Sequence, residues 1–358
     1  MLRSAGAASP SGRKNGGVKR ATALAVLAFL AAGCGGGRAA AERHLVFVRG
    51  TEPINATVWI ADATGRHAHR LTRGYAAVVA PDGHTVAVGR WDGIHLVSSD
   101  GKHERRLTST NRRPEAWSDN GKWIVATTDY SLTVVDADSG QSRLIARGVF
   151  YGFGFSPDGR RLIYGRAPRK GGEDICTARI DLYVVPLAGG ERSRLTRDGR
   201  SGFPVWGRRR IAFMRLPRRL RLDDCFAPGI WTMRRDGSNV QAIIARAPRA
   251  ISRAGYYGLQ PVAWLGSGSL LVGVRSEWGQ EAATLDVASK RLRRIGLYSG
   301  KGAHRVRAVF YVDKASRNGR LALGSGGNEK TTISIIRVRD GRPIFTLRGY
   351  VWGADWNL

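Results

Sequence analysis

"FSPDGRRLIYG" spans residues 155–165, and "DLYVVPLAGGERSRLT" follows it at 181–196. The same pair of phrases recurs upstream. "VAPDGHTVAVG" (79–89) precedes "GIHLVSSDGKHERRLT" (93–108), and "WSDNGKWIVAT" (117–127) precedes "SLTVVDADSGQSRLI" (131–145). Each unit reads as four short strands. Strand A runs into an S-P-D-G or S-D-N-G turn, in which Pro fixes φ, Asp bonds its own backbone and Gly supplies backbone freedom. Strand B is a run such as Arg161 to Gly165, strand C alternates β-branched residues, and strand D ends in R-L-T or R-L-I. Alternating runs between such turns argue for antiparallel hairpins.

Units of this kind fall at 75–110, 111–148, 149–199, 200–249, 250–300 and 301–348. Two pieces are left over. Residues 44–74 supply strands B, C and D with no A in front, and residues 349–358, "GYVWGADWNL", supply an A with nothing after it. Joined, they make one complete unit.

These repeats resemble the TolB-type propeller repeat, a relative of the WD type that lacks the Trp-Asp dipeptide. The resemblance implies an all-β fold: a single β-propeller of four-stranded antiparallel blades over residues 44–358. Seven blades are expected, closed by the C-terminal strand as the innermost strand of the first blade. Six blades is the alternative, because the last repeat, "YVDKASRNGRLALG", is the most degenerate. The resemblance says much about fold and little about function. The N-terminal domain that precedes the propeller in TolB has no counterpart here, so its role is not carried over. Trp117, Trp206 and Trp264 share one strand A position with Trp356, and packing between blades is their expected role.

Ahead of the repeats, "VKRATALAVLAFLAAGCGGG" (18–37) places Lys19 and Arg20 before an apolar run too short to span a bilayer. The run Leu30-Ala31-Ala32-Gly33-Cys34 resembles a bacterial lipoprotein lipobox, with Ala31 where Leu is commonest. That resemblance implies a signal peptide at 1–33, a lipidated Cys34 and a short tether at 34–43. It also implies an extracytoplasmic protein held to the membrane, or secreted if Cys34 is not lipidated. The formal net charge is +30; removal of residues 1–33 leaves 53 basic and 28 acidic side chains, or +25. Only nine residues are Lys, a bias that can follow from genome composition and does not argue for nucleic acid. The expected partner is an envelope protein, a peptide or an anionic polymer, met by a monomer.

Connectivity assigns the faces. A–B and C–D turns share one face, from which the tether leaves; B–C and D–A connections share the other. The B–C connections at 166–180, 215–229, 275–281 and 324–331 read as long loops, the usual seat of function on a rigid scaffold. Two of them carry Cys176 and Cys225 at matching places in adjacent units, an arrangement suited to a disulfide in an oxidising compartment. Within "RLPRRLRLDD" (215–224), Arg215, Arg218, Arg219 and Arg221 are candidates for capturing phosphate or carboxylate, unless Asp223 and Asp224 neutralise them.

Enzymatic signatures are missing: no G-x-S-x-G, P-loop or H-E-x-x-H occurs, and no metal or cofactor is expected. A binding module is therefore the favoured reading. The alternative is a propeller enzyme of lyase or glycosidase type, whose candidate channel-mouth residues are Tyr151, Tyr256, Tyr257 and Arg305. The seven His are scattered, and Asp82 and Asp158 of the P-D-G turns are expected to be turn formers.

Overall fold

In the computed structural model, residues 43–169, 175, 177–217, 228–246, 256–276, 279–295, 298–299, 306–307, 311–326, 332–349 and 351–357 are described. They form seven four-stranded antiparallel sheets arranged as a ring. The first blade orders His69–Arg73, Thr57–Asp62, His44–Arg49 and Val351–Trp356, so the last strand of the chain occupies its A position. The other six A strands are Ala76–Val79, Arg113–Trp117, Val149–Phe155, Ser201–Trp206, Tyr256–Leu265 and Tyr311–Ala315, each followed by its own B, C and D. The six-blade alternative is excluded: the degenerate last repeat builds a full blade from Tyr311–Ala315 to Pro343–Arg348.

The recurring turn chemistry has a visible cause. In three blades the Ser that opens the A–B turn closes it again: the N–H of Trp123 donates to Ser118 Oγ, that of Arg161 to Ser156 Oγ and that of Leu321 to Ser316 Oγ, at 2.9, 2.9 and 3.0 Å. The carboxylates of Asp82 and Asp158 accept backbone N–H groups within their turns. The Thr of R-L-T repairs the ladder where strand D peels away. Thr108 Oγ1 accepts the N–H of Ile94, and Thr196 Oγ1 that of Leu182. Arginines of strand D reach forward to the next blade. Arg105 donates to the carbonyl of Ala137, Arg143 to those of Pro186 and Leu187, and Arg293 to those of Val338 and Arg339. The Arg-rich D strands are thus partly a structural device, since each such bond satisfies a carbonyl that leaves its own sheet.

The core is divided into layers between neighbouring blades. Val46, Val58, Val86 and Val88 fill the first, and similar clusters follow around the ring. The last layer packs Leu323, Ile333 and Ile335 of the seventh blade against Leu45, Phe47 and Trp356 of the first. All of these are essentially inaccessible to solvent. The Trp rings belong to these layers, as expected, and two also act as rivets. Trp117 Nε1 donates to the carbonyl of Val78 (3.1 Å) and Trp264 Nε1 to that of Val205 (3.2 Å), the equivalent residue of the preceding blade in each case.

Two expectations about connections change. The B–C connection of the sixth blade is tight: Ser269–Ser276 and Gly279–Asp286 leave only 277–278 between them, so 275–281 is mostly strand. The first blade instead carries an unforeseen 3₁₀ turn, Pro53–Asn55, in its own B–C connection. Cys34, Cys176 and Cys225 lie outside the described residues. Among the described residues no helix is long and apolar enough to cross a membrane.

Candidate functional site

The A strands line the central channel, and six of the seven break their ladder with a bulge. A bulge turns the extra side chain away from the sheet and is common beside functional sites. In the third blade the extra residue is Glu115, between the pairs Pro114↔Ala126 and Ala116↔Val125. In the seventh it is Asp313, between Val312↔Gly324 and Lys314↔Leu323. In the fourth and fifth blades the bulge takes positive φ at Gly152 (79°) and Phe203 (49°). Gly152 is required there: a Cβ would lie 2.9 Å from Phe203 Cα.

Glu115 and Asp313 are equivalent residues on opposite sides of the ring, and each is held by an equivalent strand B hydroxyl. Thr127 Oγ1 donates to Glu115 Oε1 at 2.6 Å, and Ser325 Oγ to Asp313 Oδ2 at 3.4 Å. Desolvation by the surrounding channel wall pushes both carboxyls up, Asp313 to about 6, although part of the Asp313 side chain stays open to the channel. For Glu115 the guanidinium of Arg113, 3.4 Å away, opposes the shift. Asp313 shares a cavity of about 390 Å³ with Phe153, Pro204, Gln260 and Val262. At the opposite end of the channel, Arg317 and Asp119 form an exposed ion pair (3.6 Å) between the A–B turns of the seventh and third blades.

The B–C/D–A mouth of the channel gathers a group that single-residue motifs did not reveal. Tyr75 immediately precedes strand A of the second blade, Trp91 tips its B–C turn, and Asn111 lies in the next D–A connection. The rings of Tyr75 and Trp91 are 5.3 Å apart, and the Tyr75 hydroxyl donates to Asn111 Oδ1 at 2.5 Å. Burial raises the Tyr75 pKa, so the hydroxyl stays a donor at neutral pH. Arg113 reaches from the third blade toward the first, with Nη2 3.8 Å from the site where Gly353 lacks a Cβ. Its side chain is half exposed, and Trp91 is 59% exposed. The mouth thus offers a guanidinium, a carboxyl, a phenol, a carboxamide and an uncovered indole. The sequence signal was present but weak: four of the five lie in or just before A strands, where the repeat has no fixed residue.

The residues singled out from sequence are placed differently from one another. Arg215 ends its strand B in an ion pair with Asp198, and its guanidinium stacks 4.7 Å from the Trp231 ring centroid. Asp198, rather than the expected Asp223 or Asp224, is thus the partner in view. Arg218, Arg219, Arg221 and Arg305 lie outside the described residues. Tyr151 is buried, edge-on to Phe203, rather than open to the channel mouth. Tyr256 and Tyr257 begin strand A of the sixth blade, and their side chains lie outside the described set. His67 and His69 are exposed, as expected. Among the described residues no group of three or more His, Cys, Asp or Glu could hold a metal ion.

No family model matches the chain, and no curated protein matches it in sequence. Solved structures do resemble it. An oligogalacturonate lyase in complex with manganese superposes with a TM-score of 0.55 at 15% identity, covering 85% of each chain. The β-propeller domain of the trilobed protease from Pyrococcus furiosus, described as having an open velcro topology, gives 0.57 at 12%, covering 84% of this chain and 94% of that one. TolB from Acinetobacter baumannii gives 0.49 at 12%, covering 88% and 82%. At such identities the likeness is one of fold, and the chain described here is a seven-bladed β-propeller.

Proposed function

We propose that the protein is an extracytoplasmic, membrane-anchored propeller that binds a protein, peptide or envelope polymer through its B–C/D–A face. One observation carries this reading. The half-exposed Arg113 guanidinium is close enough to Tyr75 to act on its hydroxyl, and the Tyr75 ring packs 5.3 Å from the exposed Trp91 indole, a set suited to an acidic group attached to a flat or apolar body. Tyr75 and Asn111 hold each other, which keeps the aromatic pair in one geometry without using the face of the indole. The lipobox-like leader supports the compartment and the anchor.

Arg215 ends strand B of the fifth blade on the B–C side, where the basic stretch 215–224 begins. Since Arg215 is engaged by Asp198, capture by that loop would fall to Arg218, Arg219 and Arg221.

A pull-down from envelope extract tests the reading with three proteins: wild type, W91A/R113Q and the four-arginine variant R215A/R218A/R219A/R221A. Loss of a captured species with W91A/R113Q supports the mouth as the site. Capture undiminished by both variants would remove this face from consideration.

A second reading has a specific observation behind it: Glu115 and Asp313 are raised carboxyls facing one channel. In an enzyme they would serve as acid and base. Turnover of an acidic oligosaccharide, abolished by both E115Q and D313N, would favour that reading over simple binding.

A further inference from the structure

The face opposite the proposed binding site is charged unevenly around the ring. On the A–B and C–D turns of blades one to three, Asp62, Asp82, Asp100, Asp119 and Asp138 sit among a few cations such as Arg66 and Lys102. On the same turns of blades four to seven the balance reverses. "GRR" (159–161), "GRRRI" (207–211), "RRDG" (234–237), "KR" (290–291) and "RVRDGR" (337–342) present far more cations than the acids on the same turns, Asp158, Glu191, Asp236, Asp286 and Asp340. Arg160, Arg208, Arg209, Arg235, Arg320 and Arg339 are all exposed.

Shape reinforces charge. A cleft of about 710 Å³ between the sixth and seventh blades is lined by Arg293, Arg320, Arg337 and Arg339. Asp340 pairs with Arg337 and Arg339 (3.2 and 3.6 Å), leaving this cleft with more cations than acids. A second cleft of about 350 Å³, between the fifth and sixth blades, is lined by Arg208, Arg209 and Arg210 beside Trp264. Guanidinium groups at the rim of shallow clefts suit phosphate oxygens, which they can bind with two parallel N–H groups.

We infer that this half-face is a docking surface for an anionic phospholipid bilayer. The entry point of the chain selects the bilayer over other polyanions. His44 begins strand B of the first blade at the A–B end, so the chain enters the ring on this same face. The ten residues from 34 to 43 can span at most about 35 Å. A bilayer holding a lipidated Cys34 would therefore lie within reach of the arginines. Attraction to a charged surface fades over a Debye length of about 8 Å at physiological salt, so the tether gathers the ring to the surface and the arginines orient it. The B–C/D–A face then points outward. The inference goes beyond the proposed function, resting on it only for the presence of a membrane.

The test uses residues 44–358, within which all seven blades are completed, so that lipidation plays no part. Vesicles of phosphatidylcholine alone and with 30% phosphatidylglycerol are the probes. The wild-type ring is expected to bind only the anionic vesicles, with affinity falling as salt rises. R208Q/R209Q/R320Q/R339Q should weaken binding on the order of a hundredfold, at up to roughly fivefold per arginine near the surface. R73Q/R147Q/R169Q/R197Q, with the same loss of charge on the opposite face, should change it little. Equal weakening by both sets would overturn the docking face in favour of net charge. Binding to soluble polyphosphate with none to anionic vesicles would overturn the choice of occupant. Neither result touches the mouth site, whose own variants leave these arginines intact.

Discussion

Lys314 of the seventh blade places its Nζ 2.5 Å from Oδ1 of Asp355, two residues before the last one described. The other oxygen of Asp355 accepts the N–H of Val79, in the second blade, at 3.0 Å. A single carboxylate from the C-terminal strand therefore ties three consecutive blades together. Around it, His44 N–H donates to Asn357 Oδ1 (2.8 Å), and Leu45 pairs with Trp356 in the ladder.

Asp355→Ala should lower unfolding stability by about 2–3 kcal/mol, because it leaves the Val79 N–H unpaired in a buried setting and frees Lys314. Lys314→Ala should cost less, since its side chain is 46% exposed. Denaturant titration of both variants measures the difference. Equal costs would show that the backbone bond to Val79 contributes nothing.

The rivet role of the indoles separates Trp117 and Trp264 from Trp206. Trp117→Phe and Trp264→Phe each remove an N–H bond to a neighbouring blade, whereas Trp206 Nε1 is buried with no partner. Beyond the shared loss of ring volume, the first two substitutions should cost about 1 kcal/mol more than Trp206→Phe. Urea midpoints for the three variants test this directly.

Asp313 gives the fold a pH signature of known sign. Its folded pKa of about 6 lies above the unfolded value of 3.8, so the folded state holds the proton longer. Stability should fall as pH rises from about 4 to 6 and stay lower above that. Contact with channel water limits the loss to about 1–3 kcal/mol. Asp313→Asn should be more stable than wild type at pH 7 and flatter across that window; an unchanged profile would contradict the placement of Asp313 in the channel.

Arg215 should behave as a structural residue and its loop neighbours should not. Arg215→Ala strands the largely buried Asp198 and removes the stack on Trp231, at a cost of about 2–4 kcal/mol. R218A/R219A/R221A should leave the melting temperature within about a degree or two. Comparing the two by thermal unfolding also shows whether the four-arginine pull-down variant is folded well enough to interpret.

Much of the fold was legible because its repeat is written in turn chemistry. Ser118, Ser156 and Ser316 open turns that nothing else in the sequence explains, and their hydroxyls close those turns in the structure. Blade seven survives a degenerate sequence because Ser316-Arg-Asn-Gly319 still builds the turn and Ile333, Ile335 and Ile336 still fill the layers. The site was less legible for a physical reason. Channel-facing residues occupy bulges, where the period of two fails by one residue, so Glu115 and Asp313 looked like ordinary strand positions. The short connection at 277–278 was misjudged because "SEWGQE" is polar and contains Gly, yet the residues on either side pair as a ladder, Ser276 with Gly279 and Val274 with Glu281.

The central claim is that the C-terminal strand is the innermost strand of the first blade and closes the ring. Deleting residues 350–358 tests it most directly, followed by denaturant unfolding with readouts from both the first and the fourth blade. The account predicts that Leu45, Phe47 and the layer against Ile333 lose their cover, so the whole propeller unfolds at markedly lower denaturant in all readouts. A cooperative transition at the wild-type midpoint would contradict it.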